Sequence, residues 1–137
     1  MTSIERPRFY TSQPTLAANM WAAIVAGTDG ATYGVNGREY VGTHGYVVAY
    51  GTPATAVIPF ADITPANVAG FIGAHFHDAV RRGDYFGFWI DNGSVYLDVV
   101  EIERDREMAI VKGIRRNQIA VFDLANGVDV ATGGTGK

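Results

Sequence analysis

The stretch DITPANVAGFIGAHFHDAVRRG, residues 62 to 83, limits what this chain can fold into more than any other. Val68, Phe71, Ile72, His75, Phe76, Ala79 and Val80 recur at i, i+3, i+4, i+7, i+8, i+11 and i+12. That spacing predicts a helix with one apolar stripe, because side chains three and four apart share a face. Asp62 or Thr64 is the predicted N-cap, and Pro65 fits the first turn, where a missing N–H costs nothing. Arg81 and Arg82 suit the negative end of the helix dipole, and Gly83 stops the helix. Such a helix cannot stand alone, so something else must cover its stripe.

The same stretch holds AHFHD, with His75, His77 and Asp78 within four positions. On a helix, residues two apart diverge by about 200°, so His75 and His77 cannot grip one ion. On a strand they would share a face and a metal site would be open to them. The regular stripe through His75 favours the helix, with His75 at the edge of the core and His77 and Asp78 in water. No metal and no cofactor is expected.

The remaining elements read mostly as short strands and turns. Residues 16 to 26, LAANMWAAIVA, are expected to form a buried helix ended by Gly27, with a strand as the alternative; Ser12 or Thr15 is the candidate cap and Trp21, Ile24 and Val25 the inner face. The run is too short for a bilayer, which needs ~20 apolar residues, and its flanks suit a signal peptide poorly. Between 27 and 60, the runs ATYGVNG, REYVG, GYVVAYG and ATAVIPF predict three or four antiparallel strands. Turns are expected at Asn36-Gly37, Thr43-His44-Gly45 and, as a hairpin or loop, at 51 to 54. Further on, FGFWI and VYLDVVEIE flank a tight turn at Asp91-Asn92-Gly93. A helix over 105 to 116 follows, capped by Asp105, with Ile110, Val111 and Ile114 inward and weakened at Gly113 by roughly 1 kcal/mol relative to Ala. QIAVFDL, a turn at Asn126-Gly127 and a short VDVA strand complete the chain.

The expected fold is therefore α+β: a small, mostly antiparallel sheet packed with two or three helices, β-hairpin-α-β in the C-terminal half. One domain, 1–137, is favoured over two lobes divided after residue 84, since each lobe would have a marginal core. Residues 1–14 are expected to be an N-terminal arm and 131–137 a flexible tail.

Composition removes several functions. With no cysteine, there is no thiolate nucleophile, disulfide or Cys-type zinc site. A net charge of -3 disfavours nucleic acid as a partner. The terminal GGTGK is not a phosphate loop, because Ala131 stands where the pattern needs Gly. GTDGATYG, 27 to 34, is not GxGxxG, so its glycines are assigned to turns.

Three groups of residues remain as site candidates. Asp98 interrupts an apolar strand run, and with Asp123 and a histidine, His44 or His75, it could form an acid–base site for a small hydrolase or transferase. The competing assignment has one carboxylate in water and Asp123 capping the turn at Asn126. Arg104, Arg106, Lys112, Arg115 and Arg116 fall in one short segment, largely offset by Glu101, Glu103, Asp105 and Glu107, which is either a solvated, salt-bridged helix or, through Lys112, Arg115 and Arg116, a contact surface. Tyr85 and Trp89 fall on the face of the first hairpin strand opposite Phe86 and Phe88, and Tyr96 clusters with these aromatics across the turn. If uncovered, that face suits a protein interface, where Tyr and Trp concentrate binding energy.

The segment GFWIDNGSVYLDVVEIERDREMAIVKGIRRNQIAVFDLANG resembles small accessory proteins of actinobacteria and their phages. The Trp89 strand, the YLDV run at 96 to 99, the helix after Asp105 and the QIAVFDL strand at 118 to 124 carry the resemblance. It implies a phage or mobile-element accessory protein in the host cytoplasm, acting by binding a host protein, and assigns no catalytic residue. The expected function is non-enzymatic protein–protein binding. A virion structural or self-assembling protein is the further alternative, and exposed strand edges make a homo-oligomer an expected state.

Overall fold

A computed structural model describes residues 13–136. Its elements run α1 (Gln13–Val25), β1 (Gly30–Gly34), β2 (Tyr46–Ala49), β3 (Thr55–Pro59), α2 (Pro65–Arg82), β4 (Tyr85–Asp91), β5 (Ser94–Glu103), α3 (Arg106–Arg115), β6 (Ala120–Asp123) and β7 (Val128–Ala131). The fold is α+β, with three helices and one seven-stranded antiparallel sheet that takes strands from both halves of the chain. The strand order is β1-β4-β5-β2-β6-β7, with β3 also on β5.

The 62–83 prediction holds in detail. Thr64 is the N-cap, its hydroxyl accepting from the Asn67 N–H while the Asn67 side chain accepts from the Thr64 N–H. Pro65 begins α2, and Gly83 ends it in the left-handed region at φ 74°. Val68, Phe71, Ile72 and Ala79 are buried, and His75, Phe76 and Val80 flank them.

β5 organises the sheet. The two-residue turn Asn92-Gly93, both at positive φ, sets the β4–β5 register, pairing Trp89 with Tyr96 and Gly87 with Asp98. At Asn36-Gly37 only Gly37 has positive φ, and the expected REYV strand contributes a single bridge, Tyr33 to Glu39. Residues 51 to 54 are a loop and not a hairpin. β2 and β3 lie in succession along the same edge of β5, at 100–103 and 94–98, and Val99 bonds to both ends of the intervening excursion, to Tyr50 N and Ala54 O.

All three helices cover one face. Alternation turns Phe86, Phe88, Val95, Leu97 and Val99 toward α1 and α2. Leu16, Met20 and Ile24 form the inner stripe of α1; Ile24 belongs to it as expected, whereas Val25 is exposed. Gln13 and Pro14 are helical, so the predicted arm is shorter than 1–14; Ser12 and the rest of that arm lie outside the described residues. Thr15 is inside α1 and does not cap it.

α3 packs over β2 and β6 through Ala109 and Gly113, against Val48 and Val121. The expected inward positions are only partly right: Ile110 is half-buried, but Val111 and Ile114 are exposed. Small residues face the sheet because the helix sits close to it. A Cβ on Gly113 would lie 2.9 Å from Val121 Cγ1 and 3.0 Å from Thr132 Cγ2. Gly113→Ala is therefore expected to destabilise by ~1–3 kcal/mol through overpacking, outweighing the ~1 kcal/mol helix-propensity gain. A higher midpoint in urea unfolding would contradict this close approach.

Lys112 reaches Glu101 at 2.9 Å and Glu103 at 2.8 Å, and Arg116 pairs with Glu101 while lying 4.5 Å over the Tyr50 ring. Beyond β7, residues 132–136 are tied to 117–119 rather than loose: Thr132, Gly134 and Gly136 donate to Ile119, Gln118 and Asn117 carbonyls. Lys137 lies outside the described residues. No helix among the described residues is long and apolar enough to cross a membrane.

Candidate functional site

Among the described residues, the sheet face opposite the helices is the one that no helix covers, and its composition follows from strand register. One row across it runs Thr32, Gly87, Asp98 and Thr55, on β1, β4, β5 and β3. The next runs Gly30, Trp89, Tyr96 and Val57. A third row, toward the other end, runs Ile102, Val47, Phe122 and Asp129. The face is concave. A cleft of about 570 Å³ is lined by both Thr32 of β1 and Asp129 of β7, strands at opposite ends of the sheet order.

A smaller chamber of about 80 Å³ opens beside that cleft and shares Trp89, Phe122 and Asp129 with it. Its walls are mostly apolar, with Val47, Ala49, Val100, Trp89 and Phe122, and Gln118 and Asp129 add polar groups to them. Trp89 packs against Tyr96 with ring centroids 4.8 Å apart and planes 31° from parallel. Asp98 lies in this wall and is only 5% exposed. The Thr55 hydroxyl donates to its Oδ1 at 2.6 Å. Its Oδ2 has no partner among the described residues, yet it is not sealed in. The chamber is thus lined by a carboxyl with one oxygen bonded to Thr55 and the other unpartnered among the described residues. Burial pushes its pKa up to about 6, against the opposing pull of the Thr55 hydrogen bond.

The other acid–base candidates are elsewhere. Asp123 turns to the helix side of β6, where it accepts from the Ala125 and Asn126 backbone N–H groups and the Asn126 amide. The Asn126 side-chain bond leads in holding its carboxyl below the usual range. This is the turn-capping role. His44 is exposed and bonds the Arg104 carbonyl at 3.0 Å. His75 lies on α2 against Phe71, centroids 4.7 Å apart, and His77 is exposed. None of these meets Asp98, so the alternative acid–base grouping is not brought together among the described residues.

Of the contact candidates, Trp89 and Tyr96 lie together on the concave face, and no helix among the described residues covers them. Tyr85 is on the same face but packs edge-on to Tyr40, 5.1 Å away. Lys112 and Arg116 are engaged with Glu101 and Glu103, which leaves Arg115 as the exposed member of the basic segment. Lys112 is raised above the usual lysine range, by Glu103 first and then Glu101. Burial works to raise Glu101, but its bonds from Lys112 and Arg116 together outweigh that and lower it.

Phe122 and Asp129 are not among the sequence candidates, although both line chamber and cleft. They reach the site through β2, which joins β6 to β5, a pairing with no local sequence signal. Asp98 is visible in the sequence as a polar break in an apolar run. The Asn92-Gly93 turn alone is enough to place it opposite Gly87, one row from Trp89.

Fold and site define an α+β protein with a curled sheet, helices on its convex side and an acidic, aromatic cleft on its concave side. Comparison with protein-family models, with curated proteins and with solved structures gives no match.

Proposed function

We propose that this protein is a non-enzymatic binding module whose working surface is the concave sheet face and whose ligand is another protein. The observation that supports this most is the half-buried Trp89–Tyr96 pair beside an open cleft, which no helix among the described residues covers. Half-buried aromatic pairs of this kind supply large contact area with little side-chain entropy to lose. The hydrolase or transferase alternative requires Asp98, Asp123 and a histidine to converge, and they lie on different faces and elements. The resemblance of the C-terminal half to phage accessory proteins supports a host protein as the partner.

Co-purification from an actinobacterial host extract tests this, with wild-type bait beside a Trp89→Ala, Tyr96→Ala bait of confirmed fold. A partner held by wild type should fall roughly tenfold or more with the double variant, the scale of lost hot-spot residues. Equal recovery of every retained protein by both baits would remove the concave face as the working surface.

A further inference from the structure

We propose that the chamber at Asp98 receives a Lys or Arg side chain of the partner protein, its cationic head on the free Asp98 oxygen and its stem along Trp89 and Phe122. This rests on the reading that the concave face is where a partner binds.

Charge complementarity selects this occupant. Chamber and cleft together are lined by five carboxylates, Asp29, Glu39, Asp91, Asp98 and Asp129. Among the described residues, no Lys, Arg or His lines either space. The cluster is more than a solvated acidic rim, because Asp98 is buried, lines the chamber, and has one oxygen without a hydrogen-bond partner among the described residues. A buried carboxylate without a counter-charge is unfavourable, and a cation entering the chamber relieves that. The walls fit the remainder of such a side chain. Lys and Arg lay apolar stems along apolar surface, and their heads are attracted to aromatic faces. The roughly 80 Å³ chamber corresponds to about five water-sized positions at ~15 Å³ each, enough for an ammonium or guanidinium group.

Binding of this kind has a pH signature. A cation that prefers the ionised carboxyl must lower the Asp98 pKa, and protonating Asp98 must weaken binding by the same factor. The groups facing Asp98 leave this assignment clear. Among the described residues, Asp129 is the only other titratable side chain lining the chamber; β3 contributes Thr55, β4 Trp89, and β2 Val47 and Ala49. Asp29, Asp91 and Glu39 stand farther out in the cleft.

The test uses three capped pentapeptides that differ only at the centre: Ala-Gly-Lys-Gly-Ala, its Arg counterpart and its Gln counterpart. Each is titrated into the whole protein while the Trp89 indole N–H resonance is followed by NMR. The Lys or Arg peptide should bind at least about tenfold more tightly than the Gln peptide near pH ~7.5, a difference of ~1.4 kcal/mol. That preference should collapse in Asp98→Asn and weaken near pH ~5 in wild type. Following the Asp98 carboxyl carbon in wild type adds a readout without substitution: its titration midpoint should fall when the cationic peptide is saturating. Equal binding of the Gln peptide, or an unmoved Asp98 midpoint at saturation, would overturn the proposal. If the cationic peptides do not bind but partner capture still depends on Trp89 and Tyr96, the cation site falls and the binding module stands. If capture is indifferent to Trp89 and Tyr96, the binding module falls as well.

Discussion

Asp98→Asn is expected to stabilise the protein by about 2–3 kcal/mol near neutral pH and by almost nothing near pH ~4. The cause is burial, which raises this carboxyl from an ordinary 3.8 to about 6. Between those two values the folded state holds a proton that the unfolded chain has released. Stability therefore falls as pH rises through that window, and the loss is complete above the folded pKa. A rise of this size corresponds to roughly 3 kcal/mol, since a tenfold change in proton affinity is worth ~1.36 kcal/mol. Asn keeps an oxygen for the Thr55 hydroxyl and carries no charge to desolvate, so the variant should lack this slope. Urea unfolding of both proteins at about pH 4 and pH 7.5 measures it, and equal differences in stability at the two pH values would refute the burial argument. Below this window the slope reverses. Glu101, Glu103, Asp78 and Asp123 all have lowered pKa values, so their contribution is present above the ordinary carboxylate range and lost as pH falls through their folded values. Wild type should be most stable at moderately acidic pH.

Phe86→Ala is expected to cost about 3–5 kcal/mol, a large part of the ~5–15 kcal/mol that holds a domain of this size. Phe86 is fully buried on the helix side of β4. It meets Phe71 edge-on at 6.3 Å and 82°, and stacks with Phe76 at 6.4 Å and 12°. Truncation opens a void between α2 and the sheet that rigid neighbours on both sides cannot fill. Phe60→Ala provides the comparison. That ring is 43% exposed beyond the end of β3, and its loss should change stability by no more than about 1 kcal/mol. Thermal or urea unfolding of the two variants gives the ranking directly. Similar losses in both would mean that the α2–sheet contact is not where the core lies.

The helix at 62–83 is legible in the sequence because its period, cap and stop signal all act within a few residues of one another. The 85–103 hairpin is legible for the same reason: a two-residue turn with both residues at positive φ leaves one register open to the strands. The inward face of α3 is less readable. Ile114 and Val111 are the larger apolar side chains, but Ala109 and Gly113 face the sheet, and only the close approach of Val121 and Thr132 explains why small residues are required there. The terminal ATGGTG has the composition of a frayed end. Its bonds to 117–119 come from a distant partner that composition cannot reveal.

By itself, then, the sequence determined the α+β class, the α2 stripe, the β4–β5 register, and with that register the placing of Asp98 one row from Trp89. Those features depend on residues close together in the chain, where local sterics and periodicity leave few choices. Only the tertiary structure decided that β2 and β3 share one edge of β5, that Phe122 and Asp129 close the far side of the chamber, and that Asp123 and the histidines stay away from it. Such pairings depend on which distant strands bury their apolar faces together and on how far the resulting sheet curls, and no local run of residues encodes either.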